Sequence, residues 1–175
     1  MEALTSAVDL HATVLDLLGA ESDTENHSKS LMPVIEGETT QHRDWALYGW
    51  WHSDINVTDG THTYMVPIQE DVPLYNYSTM QMSAQSPFTP TSGYEEAESG
   101  AFLPYTDVQV WRQQYPSASL VREPRLYDTD ADPTQSNNIV SEAPSVKTDM
   151  DGLLREALDS LEAPDEAYEQ YGLAE

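Results

Sequence analysis

The stretch Asn56-Val-Thr-Asp-Gly-Thr-His-Thr-Tyr-Met65 decides the fold of this chain. An Asp-Gly pair between runs of β-branched and aromatic residues signals a tight hairpin, because glycine readily adopts the positive φ that such turns require. We therefore predict antiparallel strands at 55–57 and 61–66, joined at Asp59-Gly60. An isolated hairpin is at best marginally stable, so the fold depends on the elements that flank it.

Two helical patterns precede the hairpin. Residues 3–18 place apolar side chains on one stripe, and Gly19 stands where a left-handed C-cap belongs. Residues 30–35 predict a second, short helix or turn. The stripe of the first helix consists of Leu4, Ala7, Val8, His11, Val14, Leu15 and Leu18.

Further extended segments surround the hairpin. Aromatic, strand-like patterns occupy 45–51 and 105–111, and a short strand is predicted at 125–127. Between them, residues 69–100 are rich in turn-forming residues, which predicts a long segment with little regular structure.

The last element is a second amphipathic helix. Thr148 and Asp151 suggest a capping box at its start, and Pro164 ends it. Helix, antiparallel strands and helix in this order predict an α+β fold. The apolar stripe of this helix comprises Met150, Leu153, Leu154, Ala157, Leu158 and Leu161.

The chain is strongly acidic, with 31 Asp and Glu against 7 Lys and Arg and a net charge of −24. Such a surface repels phosphates, which excludes a nucleic-acid partner. The acidic residues are dispersed, and Lys29 and Lys147 are the only lysines. This pattern predicts adaptation to molar salt, where screening over roughly 3 Å removes the self-repulsion. A binder of cations or basic proteins is the alternative.

No stretch approaches the roughly 18 apolar residues of a membrane span. The N-terminus also lacks the basic and apolar regions of a signal peptide. We therefore expect no membrane partner and a location in a high-salt cytoplasm.

The segment Asp128-Thr-Asp-Ala-Asp132 resembles the start of a calcium loop. An EF-hand needs Gly at loop position 6 and Glu at position 12, where this chain has Pro133 and Ile139. We interpret these aspartates as caps of a tight turn, with a looser calcium site as the alternative. The chain has no cysteine, and its five histidines match no metal-binding spacing. We therefore assign no catalytic residue and no metal ligand.

Five pieces of the chain, in order, resemble the C-terminal part of sulfatases, in the alkaline-phosphatase-like group of hydrolases. Ala12 stands where the family usually has proline, and His62 where one subgroup usually has a basic residue. The five pieces are Ala7-Val-Asp-Leu-His-Ala-Thr-Val-Leu-Asp-Leu-Leu-Gly19, Ser30-Leu-Met32 with Gly37, Asn56 to Met65 with Pro73 to Met80, Leu126-Tyr-Asp with Asp132-Pro, Gln135 and Asn138, and 162–173.

The resemblance implies sulfate-ester hydrolysis by a formylglycine beside a divalent cation, usually calcium. The family makes formylglycine from a (Cys/Ser)-x-Pro-x-Arg motif and binds the metal partly through an Asp-His-Gly sequence. Neither motif occurs in these 175 residues. The resemblance therefore implies that both cofactors belong to a preceding catalytic part, and that this chain alone is inactive.

The resemblance also implies an organisation. Residues 1–40 would be the tail of the large α/β domain, and 41–175 a small subdomain with an antiparallel sheet packed by the C-terminal helix. In the family this small domain supports the catalytic domain and can edge the substrate cleft. The expected cleft-edge contacts are the hairpin residues Asn56, Asp59, His62 and Tyr64.

Three hypotheses follow. The first is a C-terminal sulfatase fragment from a split, truncated or frameshifted gene. The second is an acidic accessory module that docks on a separate catalytic core through Leu4, Val8, Leu15 and Leu18. The third is a carbohydrate-binding module that uses the tryptophans Trp45, Trp50, Trp51 and Trp111.

Overall fold

The structure is a computed structural model that describes residues 3–22, 26–49, 53–69, 72–79, 96–115 and 121–174. Within these residues the fold is mixed α/β, with two small antiparallel sheets and few helices. Its elements are α1 (Asp9–Leu17), α2 (Met32–Ile35), β1 (Ala46–Gly49), β2 (Ile55–Thr58), β3 (His62–Val66), β4 (Leu74–Ser78), β5 (Glu98–Gly100), β6 (Val110–Tyr115), β7 (Arg125–Asp128), α3 (Pro144–Ser160) and α4 (Asp165–Gln170).

The chain divides into two compact units. Unit 1 contains Met1–Tyr48, Asn56–Met65 and Arg125–Ala157, and unit 2 contains the remaining segments, Gly49–Ile55, Val66–Pro124 and Leu158–Glu175. The division at residue 40 expected from the resemblance stays a prediction.

The first sheet has the strand order β1-β2-β3-β7. The predicted hairpin is confirmed as β2 and β3, and Gly60 in its turn has a φ of +95°. The strand predicted at 125–127 is confirmed as β7, which runs antiparallel to β3 with Tyr64 opposite Leu126. β1 lies within the strand predicted at 45–51, of which 50–51 are outside the described residues.

The second sheet has the order β4-β6-β5, and both pairs are antiparallel. β4 and β5 lie inside 69–100, so the prediction of little regular structure is wrong there; residues 80–95 are outside the described part. β6 begins at Val110, five residues after the predicted start of the strand at 105–111. Pairing with β4 fixes its position, since Leu74 to Ser78 match Tyr115 to Trp111 in register.

The helices differ from prediction mainly at their first turns. α1 begins at Asp9, not at residue 3, and its end at Gly19 is confirmed by a φ of +63°. α3 begins at Pro144, four residues before the expected capping box. The Thr148 hydroxyl therefore donates to the Pro144 carbonyl inside the helix (3.0 Å) instead of capping it. α4 was not predicted.

Each unit has its own buried apolar residues. In unit 1 they include Val34, Val57, Tyr64, Leu126, Met150, Leu154 and Ala157. In unit 2 they include Val66, Ile68, Leu74, Val110, Val121, Leu158 and Leu173. The stripe predicted along α3 thus supplies Met150, Leu154, Ala157 and Leu158 to these cores.

Candidate functional site

The turn of the hairpin is held by Asp59. One of its carboxylate oxygens accepts hydrogen bonds from the backbone N–H groups of Thr61 (2.8 Å) and His62 (2.5 Å). The other lies 3.3 Å from Nδ1 of His62. Burial would raise the pKa of Asp59, but the two backbone bonds and His62 together lower it. Asp59 and His62 are therefore close together and partly open to solvent, on the turn between β2 and β3.

Asn56 and Tyr64, the other two residues predicted at a cleft edge, are buried. Tyr64 is 2 % exposed, and burial raises the pKa of its hydroxyl. The Lys147 amine lies 5.6 Å from the centre of the Tyr64 ring and donates to Asp151 (2.7 Å). Asn56 is 6 % exposed, and its amide oxygen has no hydrogen-bond partner among the described residues. The cleft-edge role of all four residues stays a prediction.

A second cluster, which sequence reasoning missed, surrounds Asp9 at the start of α1. The Asp9 side chain is fully buried and bonds to both Nε (2.7 Å) and Nη2 of Arg43. It also accepts from the backbone N–H groups of Ser6 and Lys29 (3.0 Å each). Nε2 of His42 lies 3.0 Å from the same carboxylate. We call Asp9, His42 and Arg43 the Asp9 cluster.

The Asp9 cluster is held as a charged group inside unit 1. Burial by itself would raise the pKa of Asp9. The hydrogen bonds from Arg43, from the two backbone groups and from His42 outweigh that effect, and they hold the pKa well below its usual range. Asp9 therefore stays ionised and ties Lys29, His42 and Arg43 to the first turn of α1.

Other polar side chains of α1 hold the segment that follows it. The Thr13 hydroxyl donates to the Asp9 carbonyl (2.6 Å) and accepts from the Leu31 N–H (2.9 Å). The Ala12 N–H donates to the Ser28 hydroxyl (2.7 Å), a bond that proline at this position could not form. The buried side of α1 is thus polar.

The apolar side of α1 faces outward. Val8, Val14 and Leu18 are 53 %, 52 % and 74 % exposed, and Leu10 and Leu17 are similarly open. Of the predicted docking residues, Leu4 and Leu15 are half-buried, whereas Val8 and Leu18 are exposed. Several large apolar side chains together on one helix are unusual on a surface that stays in water. We call Val8, Leu10, Val14, Leu17 and Leu18 the outer face of α1.

In unit 2 an arginine joins sheet and helix. The Arg112 guanidinium donates to Glu98 (2.6 Å) and to Glu166 of α4 (3.5 Å). It stacks between the rings of Tyr75 and Phe102, at 4.8 and 4.3 Å from their centres. Arg112 therefore links β6 to β5 and to α4 through its charge and its planar group.

The predicted turn caps at 128–132 are confirmed. Asp128 accepts from the N–H groups of Asp130 (3.1 Å) and Ala131 (2.9 Å). Asp132 accepts from the N–H groups of Ser136 (2.7 Å) and Asn137 (2.8 Å). Within the described ranges, no three His, Cys, Asp or Glu side chains are grouped so that they could hold a metal ion. The looser calcium site stays a prediction.

A polar cleft of about 580 Å³ lies beside the second half of α1, in unit 1. Its lining includes His11, Asp16, Glu21 and Asn26. The carboxylate of Asp16 accepts from the Ser30 hydroxyl (2.6 Å), so part of this lining also serves the fold. None of the helices described in the structure has the length and apolar content to cross a membrane.

Comparison with known proteins gives limited matches. No protein-family model matches the chain, and no curated protein does. Among solved structures, the fold is similar to a sulfatase chain described as "Metabolism of multiple glycosaminoglycans by Bacteroides thetaiotaomicron is orchestrated by a versatile core genetic locus (BT33336S-sulf)". The TM-score is 0.49 and the identity 20 %, over 91 % of this chain and 25 % of that chain. The chain thus spans about a quarter of that protein's length.

Proposed function

We propose that this chain is the C-terminal part of a sulfatase-like hydrolase, and that it supports a catalytic domain without performing the chemistry. One observation carries the proposal: pieces of the sequence resemblance that lie far apart in the chain meet inside unit 1. Thr13 of the first piece binds Leu31 of the second, and Tyr64 of the third pairs with Leu126 of the fourth. Such contacts are expected if the resembling pieces form one structural unit.

The outer face of α1 supports a docking role. The bonds of Asp9 and Thr13 keep this helix attached to unit 1 through its polar side, which leaves the apolar side free for another surface. Burial of such side chains against an apolar partner is favourable in proportion to the area removed from water. The proposed partner is the catalytic core, on the same polypeptide or on a separate one.

In this proposal the catalytic core carries the nucleophile and the metal. The formylglycine and calcium of the family would therefore be supplied by the preceding catalytic part. Asp59 and His62, on the partly open turn of the hairpin, are the predicted residues best placed to reach a neighbouring cleft. The purified chain should release no sulfate from an aryl sulfate.

The nucleotide sequence directly upstream of the Met1 codon tests this proposal. We expect a reading frame that encodes both (Cys/Ser)-x-Pro-x-Arg and Asp-His-Gly, either continuous with this chain or as a neighbouring gene. Unrelated sequence there, together with sulfate release by the purified chain alone, would contradict the proposal.

Docking is tested by co-expression of the chain with the upstream polypeptide. Leu17→Asp should weaken co-purification, because it buries a charge in the proposed interface. Val108→Asp is the matched control, since Val108 is also more than half exposed but lies in unit 2. Equal recovery of the partner with both variants would exclude the outer face of α1 as the docking surface.

A further inference from the structure

The two faces of the second sheet differ in chemistry because side chains alternate along a strand. On β6, Arg112 contacts Tyr75, Phe102 and α4 on one face, as described above. Trp111 and Gln113, on either side of Arg112 in the sequence, belong to the opposite face. All of these residues lie in unit 2.

The register surrounds Trp111 with short side chains. Ser78 of β4 and Ser99 of β5 stand directly opposite it on its two sides. Residues opposite each other in antiparallel strands share a face, so neither neighbour can cover the indole with a large side chain. Trp111 is half-buried and Ser99 is exposed. A flat aromatic surface is therefore set between two hydroxyl groups.

Two amides stand one step along the same face. Gln113 is paired with Asn76, which is exposed. Gln113 is 8 % exposed, and its amide oxygen has no hydrogen-bond partner among the described residues. Buried amide oxygens are normally paired, so this one has an unused acceptor that a hydroxyl donor could satisfy. In a sheet these groups lie about 5 Å apart across strands and about 7 Å apart along them.

From this arrangement we propose that the Trp111 face of the second sheet binds a neutral sugar ring. The apolar C–H side of the ring would stack on the indole, and its hydroxyl groups would bond to Ser78, Ser99, Asn76 and Gln113. This site goes beyond the proposed hydrolase role and does not depend on it.

The charges decide between neutral and anionic sugars. The paired residues on this face are all uncharged, and they include Leu74, Asn76, Ser78, Ser99, Trp111 and Gln113. Arg112 on the other face is already bonded to Glu98 and Glu166. No cation among these paired residues is thus available for a sulfate or carboxylate, and the chain's net charge of −24 repels anions.

The proposal is tested on the full chain with an array of neutral and sulfated glycans, followed by titration with the neutral oligosaccharides retained. We expect Kd values of about 1 mM or lower. Trp111→Ala should weaken binding by at least about tenfold, as expected for the loss of a central aromatic contact. Tyr105→Ala is the matched control, because Tyr105 is an exposed aromatic of unit 2 outside this sheet.

The Ser99→Arg variant tests whether glycan binding can be lost while the chain stays folded. It leaves Trp111 in place but sets a long side chain beside the indole, so it should abolish binding while the urea unfolding curve stays unchanged. Three outcomes would each overturn the proposal. The first is that the wild-type chain retains no neutral glycan on the array, and the second is that it prefers sulfated glycans. The third is unchanged binding by the folded Ser99→Arg and Trp111→Ala variants.

Discussion

At the scale of single residues, Asp9 shows how a charge can serve as a structural element. Its carboxylate is shielded from water, and five donor groups from four other residues surround it. Replacing such a pair by apolar residues is often neutral, whereas removing one partner is costly because the other charge remains buried. Arg43 and His42 have side chains that are 7 % and 6 % exposed, so neither can turn to solvent without disrupting unit 1.

Asp9→Asn should therefore destabilise the chain by about 3–5 kcal/mol, measured by urea unfolding at neutral pH. Asp16→Asn is the control on the same helix. Asp16 is exposed and its carboxylate accepts one hydrogen bond, from Ser30, so the expected loss is at most about 1 kcal/mol. A loss for Asp9→Asn as small as that expected for Asp16→Asn would show that the Asp9 cluster adds little stability.

The same cluster predicts a pH dependence. The pKa of Asp9 in the folded chain lies below the value of about 3.9 for an unfolded Asp. Its stabilising effect is therefore complete above about pH 5 and is lost as the pH falls towards the folded-state pKa. The gap in unfolding free energy between wild type and Asp9→Asn should narrow from pH 6 to pH 3. A constant gap would contradict this assignment.

At the scale of elements, the sequence predicted those features that depend on residues close together in the chain. The Asp59-Gly60 turn, the Gly19 cap and the buried stripe of α3 were visible because each depends on neighbours in sequence. The position of β6 was not, since its pairing partner on β4 is more than thirty residues away. The Asp9 cluster was hidden for the same reason: Arg43 lies 34 residues from Asp9. One signal was available in the sequence: the chain has only 7 Lys and Arg. An aspartate at the start of a helix could therefore be expected to pair with one of these few cations.

Replacing glycine by alanine should have opposite effects on stability at Gly60 and at Gly152. Gly60→Ala should destabilise the chain by about 1–2 kcal/mol, because the turn holds φ at +95°, where a Cβ is strained. Gly152→Ala should stabilise it by about 0.5–1 kcal/mol, because Gly152 is exposed within α3 and an added Cβ meets nothing within 4 Å. Thermal unfolding of both variants tests this, and effects of the same sign would contradict it.

At the scale of the whole molecule, charge is the dominant property. With a net charge of −24, the compact chain repels itself in dilute buffer, and ions screen that repulsion. Of the few cations, Arg43, Arg112 and Lys147 are engaged in ion pairs with Asp and Glu in the described part of the chain. The dispersed negative charge is the reason that we propose a high-salt working environment.

Stability should accordingly rise from dilute buffer to molar KCl. Each kcal/mol gained raises the Tm of a chain of this size by about 2–4 °C. Sucrose is the control, because it favours compact states by exclusion without screening charge. A Tm that responds equally to sucrose and KCl, or to neither, would contradict salt adaptation.

The inverted polarity of α1 has an evolutionary consequence. Its polar side chains, Asp9 and Thr13, hold unit 1 together, whereas Leu10, Val14 and Leu17 are exposed on its other side. The polar side of α1 is then under selection for folding, and the apolar side is under selection for binding the partner. In a lineage that had lost the partner, Val14, Leu17 and Leu18 would drift towards polar residues while Asp9, Thr13 and Arg43 persisted. Their apolar character in related genes would therefore record whether the partnership has lasted.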